Sequence, residues 1–371
     1  MGFAPIDSIE RVEGRFKVYD LTCPPVSAFF ANGIISSNCH FCAYRMSGYT
    51  SNQLFVGDSE AAAYGHNNPK RWIPTERALA LIDEFKAAGV LSVQFTGGGE
   101  PTVHPDHMAI FQKALDNELR CSLVSNGLRW DYTLAKDILP RFDWVRVSVD
   151  AGSANYYAKA RNTPRSNWQR VWENVRLLAA SIKASKSGTV LGLGFVVTPE
   201  SYRQIPEFVA IASTSGADNI RLTALFSTDN ETPFLGLYDD IKRLIVEVRA
   251  SHERDDFKVY DNFGSRFDDL KQHAPDYSFC SYQHYTAYVG GDLKAYRCCV
   301  LAYNKRGLVT GGDLKERRFD DFWKSQERKD DMNALDAHGC ERCQFNSKNR
   351  ALLYVMGNTA SDTAPRHIEW P

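Results

Sequence analysis

The chain has 371 residues, a formal net charge of −1 and 43% hydrophobic residues. That length supports two domains with buried cores, and the near-neutral charge excludes both a disordered chain and a strongly basic nucleic-acid binder. No apolar run reaches membrane-spanning length and no signal-peptide pattern opens the chain, so a cytoplasmic protein is expected, and the nine cysteines read as metal ligands, nucleophiles or packed thiols rather than disulfides.

The first segment, residues 1–38, carries β signals. Asn32-Gly33 between apolar pairs is a hairpin-turn dipeptide. Asn38-Cys39 then joins two reactive groups. An asparagine amide can attack its own carbonyl and cut the chain after itself, and a cysteine thiol can take over an acyl group. These are the two parts needed to excise a segment and join its flanks. Asp20 is the candidate group that activates the Cys39 thiol. The next residues, Cys39-His40-Phe41-Cys42, place two thiols close enough to share one metal centre, a spacing that zinc sites also use.

From residue 74 the pattern alternates helix and strand. Pro74-Thr75 opens a helix with Leu79, Ile82 and Phe85 on one face, ending near Gly89. Buried strands are expected at Leu91 to Phe95, Cys121 to Val124, Trp144 to Val149, Val190 to Val197 and Ile220 to Leu225. Helices are expected at Trp168 to Ile182, Tyr202 to Ala212 and Asp239 to Ser251. This spacing predicts an α/β fold with a parallel sheet and right-handed crossovers. After about residue 230 the pattern changes to an irregular, cysteine-bearing region, which sets the expected domain boundary.

Polar residues cluster where strands end. Thr96-Gly97-Gly98-Gly99-Glu100-Pro101 follows the first strand, Ser125-Asn126-Gly127 the second and Ser148-Val149-Asp150 the third. Consecutive glycines let a ligand approach the backbone, and the acid can take an ammonium group. The C-terminal ends of parallel strands are where barrels bind ligands. Cys121 is expected to be a packed thiol.

With those motifs in order, the stretch from Cys39 to about Leu225 resembles the core of radical SAM enzymes. The family motif is C-x3-C-x-(aromatic)-C, with Phe41 as the aromatic. The resemblance implies a [4Fe–4S] cluster, S-adenosylmethionine chelated to it, reductive cleavage to a 5′-deoxyadenosyl radical and hydrogen abstraction from a peptide or nucleotide-type substrate. It implies that Cys39 and Cys42 are cluster ligands. It further implies that Gly98, Gly99 and Glu100 hold the methionine amino group, that Asn126 and Ser148 contact ribose or carboxylate, and that Arg161 is a carboxylate partner. The first cysteine of the motif is absent: its position is Ile35.

Residues 18–39 resemble the terminal motifs of inteins. Ser27 and Ser37 stand where those motifs usually carry histidine, which predicts slow cyclisation of Asn38. The resemblance implies a split gene: a separate partner chain with the N-terminal intein half and an N-extein ending Cys-x-x-x. Trans-splicing to Cys39 would deliver both the missing cysteine and a missing first strand. The chain alone is then expected to be incomplete.

In the last third, Cys280, Cys298, Cys340 and Cys343, in a context similar to twitch or SPASM extensions, are the expected ligands of one auxiliary [4Fe–4S] cluster, with Cys299 able to replace Cys298. Four cysteines at this spacing also suit zinc. The expected architecture is therefore α/β, a partial (β/α)6 barrel lacking its first strand (residues 39–230). An N-terminal β-rich intein fragment (1–38) precedes it and a C-terminal α+β auxiliary-cluster domain (231–371) follows. Its expected partners are the separate intein chain, an external electron donor and a peptide or small-molecule substrate, with no membrane and no nucleic acid. The alternatives are a zinc-stabilised binding protein and an inactive fragment with a decayed intein.

Overall fold

The structure is a computed structural model that describes residues 30–31, 34–35, 73–97, 99–226, 229–302, 305–340 and 343–355. Near the N-terminus, β1 (Phe30–Ala31) and β2 (Ile34–Ile35) pair antiparallel, with Phe30 opposite Ile35 and Ala31 opposite Ile34. This is the pairing expected on either side of the Asn32-Gly33 dipeptide.

Six parallel strands form the main sheet. They are β3 (Ser92–Phe95), β4 (Arg120–Ser125), β5 (Trp144–Ser148), β6 (Val190–Val197), β7 (Asn219–Ala224) and β8 (Lys258–Asn262), adjacent in chain order. Five of them lie where apolar runs predicted them. The sixth, β8, was not expected: in Lys-Val-Tyr-Asp-Asn only Val259 is buried, so no apolar run marks it. The sheet therefore continues past residue 230, where the sequence pattern placed a boundary. Among the described residues no strand pairs with the outer edge of β3.

Helices α1 (Thr75–Ala87), α2 (His107–Asp116), α3 (Ala154–Arg161), α4 (Ser166–Ser185), α5 (Ile205–Ala212), α6 (Tyr238–His252) and α7 (Phe263–Gln272) connect and follow the strands. The link between β4 and β5 is a π-helical turn, Leu134–Ile138. Strand side chains alternate, so Val145, Val147, Leu191, Leu193, Ile220 and Leu222 share one face, fully buried against Val175, Leu178, Phe208 and Ile245 of the helices. Each such side chain contributes roughly 1.5–3 kcal/mol of burial.

A second, smaller core follows. Strands β9 (Tyr288–Val289), β10 (Lys294–Tyr296) and β11 (Leu308–Asp313) form an antiparallel sheet in the order β11-β10-β9. Helices α8 (Phe319–Lys324), α9 (Gln326–Asn333) and α10 (Asn346–Val355) accompany it. Phe319, Phe322, Leu314 and Met332 pack there with Leu81 of α1. One ion pair pins this unit to the first helix. Glu84, 3% exposed, takes both Arg77 Nη1 and Nη2, at 2.6 and 3.0 Å, and the Phe319 N–H at 2.8 Å. Arg77 also donates to the Leu314 and Arg317 carbonyls. With every partner present, this buried pair is fully satisfied. No described helix is long and apolar enough to cross a membrane.

Candidate active site

Because all six strands are parallel, their C-terminal ends meet at one edge of the sheet, and the polar loops expected from the sequence gather there. The loop after β3 is fastened by Glu100. Its Oε1 accepts from Thr102 N (3.2 Å), Thr102 Oγ1 (2.8 Å) and Ser125 Oγ (2.8 Å), and its Oε2 accepts from Asn126 N (2.6 Å). Glu100 thus braces the glycine loop against the end of β4. Each carboxylate oxygen offers about two acceptor sites, and Oε2 takes only the Asn126 N–H among these, so it retains capacity for an ammonium group. Gly99 stands exposed, and a Cβ there would meet nothing within 4 Å, which leaves the loop backbone open to a ligand.

Ser125, at the end of β4, is the hub of the next loop. Its Oγ accepts from Gly127 N (2.9 Å) and Trp130 Nε1 (3.0 Å). Asn126 Oδ1 accepts from Leu128 N at 2.9 Å, closing an Asx turn. Gly127 has φ +70°, and a Cβ there would fall 2.8 Å from Val147 Cγ1. Only glycine serves both the left-handed backbone and that close approach. Asn174 of α4 donates to the Gly127 carbonyl at 2.7 Å.

After β5, Arg161 at the end of α3 donates Nη2 to the Ser148 carbonyl (2.7 Å) and pairs with Asp150. Both side chains are buried, Arg161 at 10% and Asp150 at 4% exposure. The Asp150 backbone is left-handed, φ 56°, and its Oδ1 takes the Val196 N–H at 2.7 Å. Burial pushes the Asp150 carboxyl above the usual carboxylate range, opposed by the Arg161 charge and the Val196 N–H. Arg161 is therefore a buried ion-pair partner held over the β5 end.

Of the expected site residues, the structure brings Gly99, Glu100, Asn126, Ser148 and Arg161 to this edge. Asp20, Asn38, Cys39, Phe41, Cys42 and Gly98 lie outside the described residues. Sequence reasoning missed Ser125 and Asp150 as fasteners. Both stood in the quoted motifs, but a side chain that holds another cannot be told from one that meets a ligand by spacing alone.

In the second unit, Cys280, Cys298, Cys340 and Cys343 line one pocket, walled by Val300, Leu301, Leu335 and Phe345. Cys299 does not line it. Cys343 Sγ accepts from Phe345 N at 3.3 Å and shares, at 3.7 Å, the Tyr277 hydroxyl proton that also reaches Asn346 Oδ1 at 2.8 Å. Burial pushes the Cys343 thiol up to about 11, with the charges of Cys280 and Cys340 adding to the rise; Cys298 and Cys280 rise for the same leading reason. Among the described residues no three His, Cys, Asp or Glu side chains already stand at metal-ligating separations. The donor set fits a thiophilic centre: four thiols, an apolar wall and hydrogen-bond donors aimed at sulfur. Cys121, by contrast, is 1% exposed in the main core, its thiol pushed up to about 12 by burial.

Residues 36–209 match the family model described as Radical SAM superfamily. The chain is 29% identical over 155 residues to a mycofactocin maturase, MftC, of Mycobacterium tuberculosis (41% of this chain, 37% of the relative). It is 23% identical over 146 residues to a PqqA peptide cyclase of Granulibacter bethesdensis (39% of this chain, 37% of the relative). The chain thus spans well under half the length of these relatives. Its fold is similar to that of Streptococcus suis SuiB bound to the precursor peptide SuiA, with TM-score 0.55 and 13% identity over 81% of this chain and 64% of that one. Family match and fold meet on the same parallel strands: residues 36–209, which match the Radical SAM superfamily model, carry β3 to β6 of the sheet.

Proposed function

We propose that this chain is the body of a radical SAM enzyme that modifies a peptide, made as a precursor matured by splicing at Asn38-Cys39. The observation that carries the reading is the strand-end edge. Glu100 braces the glycine loop and Asp150 braces Arg161, so three adjacent loops present ordered polar groups within the segment that matches the family. Gly98, Gly99 and Glu100 would hold the methionine amino group, with Glu100 Oε2 taking the ammonium. Asn126 and Ser148 would meet ribose or carboxylate, and Arg161 the carboxylate end. Cys39 and Cys42 would hold the cluster with a third cysteine from the partner chain. When bound, the cluster and S-adenosylmethionine supply a 5′-deoxyadenosyl radical that takes a hydrogen atom from the substrate.

Cys280, Cys298, Cys340 and Cys343 would hold one auxiliary [4Fe–4S] cluster, with Tyr277 and the Phe345 N–H donating to the sulfur of Cys343. A peptide substrate is supported by relatives named for peptide work, the PqqA peptide cyclase and the SuiB–SuiA complex. Trans-splicing is supported by the β1–β2 pairing beside Asn32-Gly33 and by the β3 edge, which has no described strand partner and would accept a strand from an N-extein.

The test is anaerobic reconstitution of the chain, co-expressed with its partner, with iron and sulfide. The reduced product should convert S-adenosylmethionine to 5′-deoxyadenosine. Full iron loading without 5′-deoxyadenosine would sink the reading. Zinc without iron or sulfide in anaerobically purified protein would point instead to a zinc-stabilised binding protein, which the four-thiol pocket also suits.

A further inference from the structure

Positive charge stands half-buried on the face of the sheet opposite the helices. Arg146 lies in β5 between Val145 and Val147, and Arg221 in β7 between Ile220 and Leu222. Those four apolar side chains are in the helix-covered core, so the two-residue strand period puts both arginines on the other face. Between them runs β6, whose register pairs Gly192 with Arg146 and Gly194 with Arg221. Neither glycine raises a side chain there. A Cβ on Gly194 would sit 3.7 Å from Arg146 Cδ, so the Arg146 stem lies over the bare strand that separates it from Arg221.

No described carboxylate pairs with either guanidinium, and Arg221 Nε is buried without a hydrogen-bond partner. Arg146 lies over the Trp144 ring, 5.0 Å from its centroid, and the charges acting on Arg221 are more positive ones. Burial, then Arg146 and Arg266, push Arg221 down to about 9. Lys348 of α10 is pushed down to about 8 by burial, with Arg221 and Arg146 adding to the fall and Cys299 opposing it. Arg266 has its own acid, Asp269, at 3.7 Å. Like charges drawn together and partly desolvated, with no counter-charge among the described residues, oppose folding, so an arrangement of this kind suits an anion that arrives from outside. The place is near the chemistry: Arg221 shares a register row with Ser148 across Gly194, two strand spacings or about 10 Å away.

We propose that Arg146 and Arg221 receive a carboxylate of an acidic peptide segment that enters the face of the sheet opposite the helices. The proposal rests on the reading of the site given above and names the substrate class that site selects. The guanidinium fork matches a carboxylate in geometry and charge. The peptide-acting relatives favour a peptide as the carrier, and a nucleotide phosphate is an outcome of the test.

The test uses the full chain and a displayed library of random twelve-residue peptides. Peptides retained by the wild-type chain should be enriched in Asp and Glu. Replacing the acid of a selected peptide by its amide should weaken binding about tenfold or more. The Arg146→Gln/Arg221→Gln double variant should lose the acidic preference, and Arg146→Lys/Arg221→Lys should keep part of it. The single Arg221→Gln variant should unfold at the same or a higher temperature than wild type, because it removes a half-buried cation that no described acid pairs; a fall of several degrees would mark a structural cation and overturn the proposal. Recovery of no peptide, of peptides without acid preference, or of the same preference from the double variant overturns it too, as does displacement of the bound acidic peptide by ATP at lower concentration than by its own unlabelled copy. Wild-type 5′-deoxyadenosine formation is measured alongside. Its presence without acid preference sinks this proposal alone, and acid preference without it sinks the enzymatic reading alone.

Discussion

Glu100 Oε1 and Ser125 Oγ lie 2.8 Å apart, and this contact, together with the Asn126 N–H on Oε2, joins the glycine loop after β3 to the end of β4. Ser125 in turn holds Trp130 and the Gly127 N–H. The loop geometry is thereby anchored in a buried tryptophan 6% exposed, not left to the glycines. A loop rich in glycine is costly to order, and an acid that collects four donors supplies the ordering from the neighbouring strand.

Glu100→Ala removes the shared acceptor and leaves Ser125 Oγ, Thr102 Oγ1 and two backbone N–H groups without it. We expect a stability loss of about 2–4 kcal/mol, read by urea denaturation. Glu100→Asp should also lose stability, since the shortened side chain cannot reach both strand ends. Equal midpoints for variant and wild type would show that the brace contributes nothing.

Arg161→Met strands the buried Asp150 carboxylate. At neutral pH the cost should be about 3–5 kcal/mol. Burial already raises the folded-state pKa of Asp150, and without Arg161 it rises further. A carboxyl whose folded pKa exceeds its unfolded one stabilises most below the unfolded pKa, and that stability is lost as pH rises through the folded pKa. The deficit of Arg161→Met against wild type should therefore shrink as pH falls from 7 toward 4. A deficit that grows on acidification would contradict the assignment.

Cys121 is held protonated by burial, its pKa pushed up to about 12. At pH 8 its thiolate fraction is on the order of 10⁻⁴. Native protein treated with iodoacetamide should leave Cys121 unmodified by peptide mass mapping, and urea should expose it to labelling.

The pocket distinguishes adjacent cysteines. Cys298 lines it and Cys299 does not. Cys298→Ser should lower iron and sulfide per chain by about one auxiliary cluster, whereas Cys299→Ser should leave the content near that of the wild type. Tyr277→Phe removes a donor to Cys343 Sγ and should shift the cluster potential without loss of iron, measured by redox titration followed by electron paramagnetic resonance.

Part of this was legible from the sequence and part was not. Five strands were visible because Val, Ile and Leu at alternating or continuous positions have no other stable place than a buried sheet. β8 was not, since Lys258–Asn262 buries one apolar side chain and borrows its order from β7. Arg146 and Arg221 could have been noticed: an arginine flanked by buried valines or leucines in a strand must face away from them. What could not be read was that β5 and β7, distant in sequence, set those charges on one face with only the bare glycines of β6 between them.

The sequence by itself determined the chemistry on offer: the glycine–acid loop, the polar strand ends, the Asn38-Cys39 pair and the cysteine spacing, because residue type fixes nucleophile, acid and ligand. The tertiary structure alone decided which groups are engaged and which are open. It made Glu100 a brace, buried Arg161 against Asp150, chose Cys298 over Cys299 for the pocket and left Arg146 and Arg221 without an acid among the described residues. The reason is physical: reactivity and charge belong to side chains, whereas burial, partnership and shared position arise only when parallel strands from distant parts of the chain are placed about 4.8 Å apart.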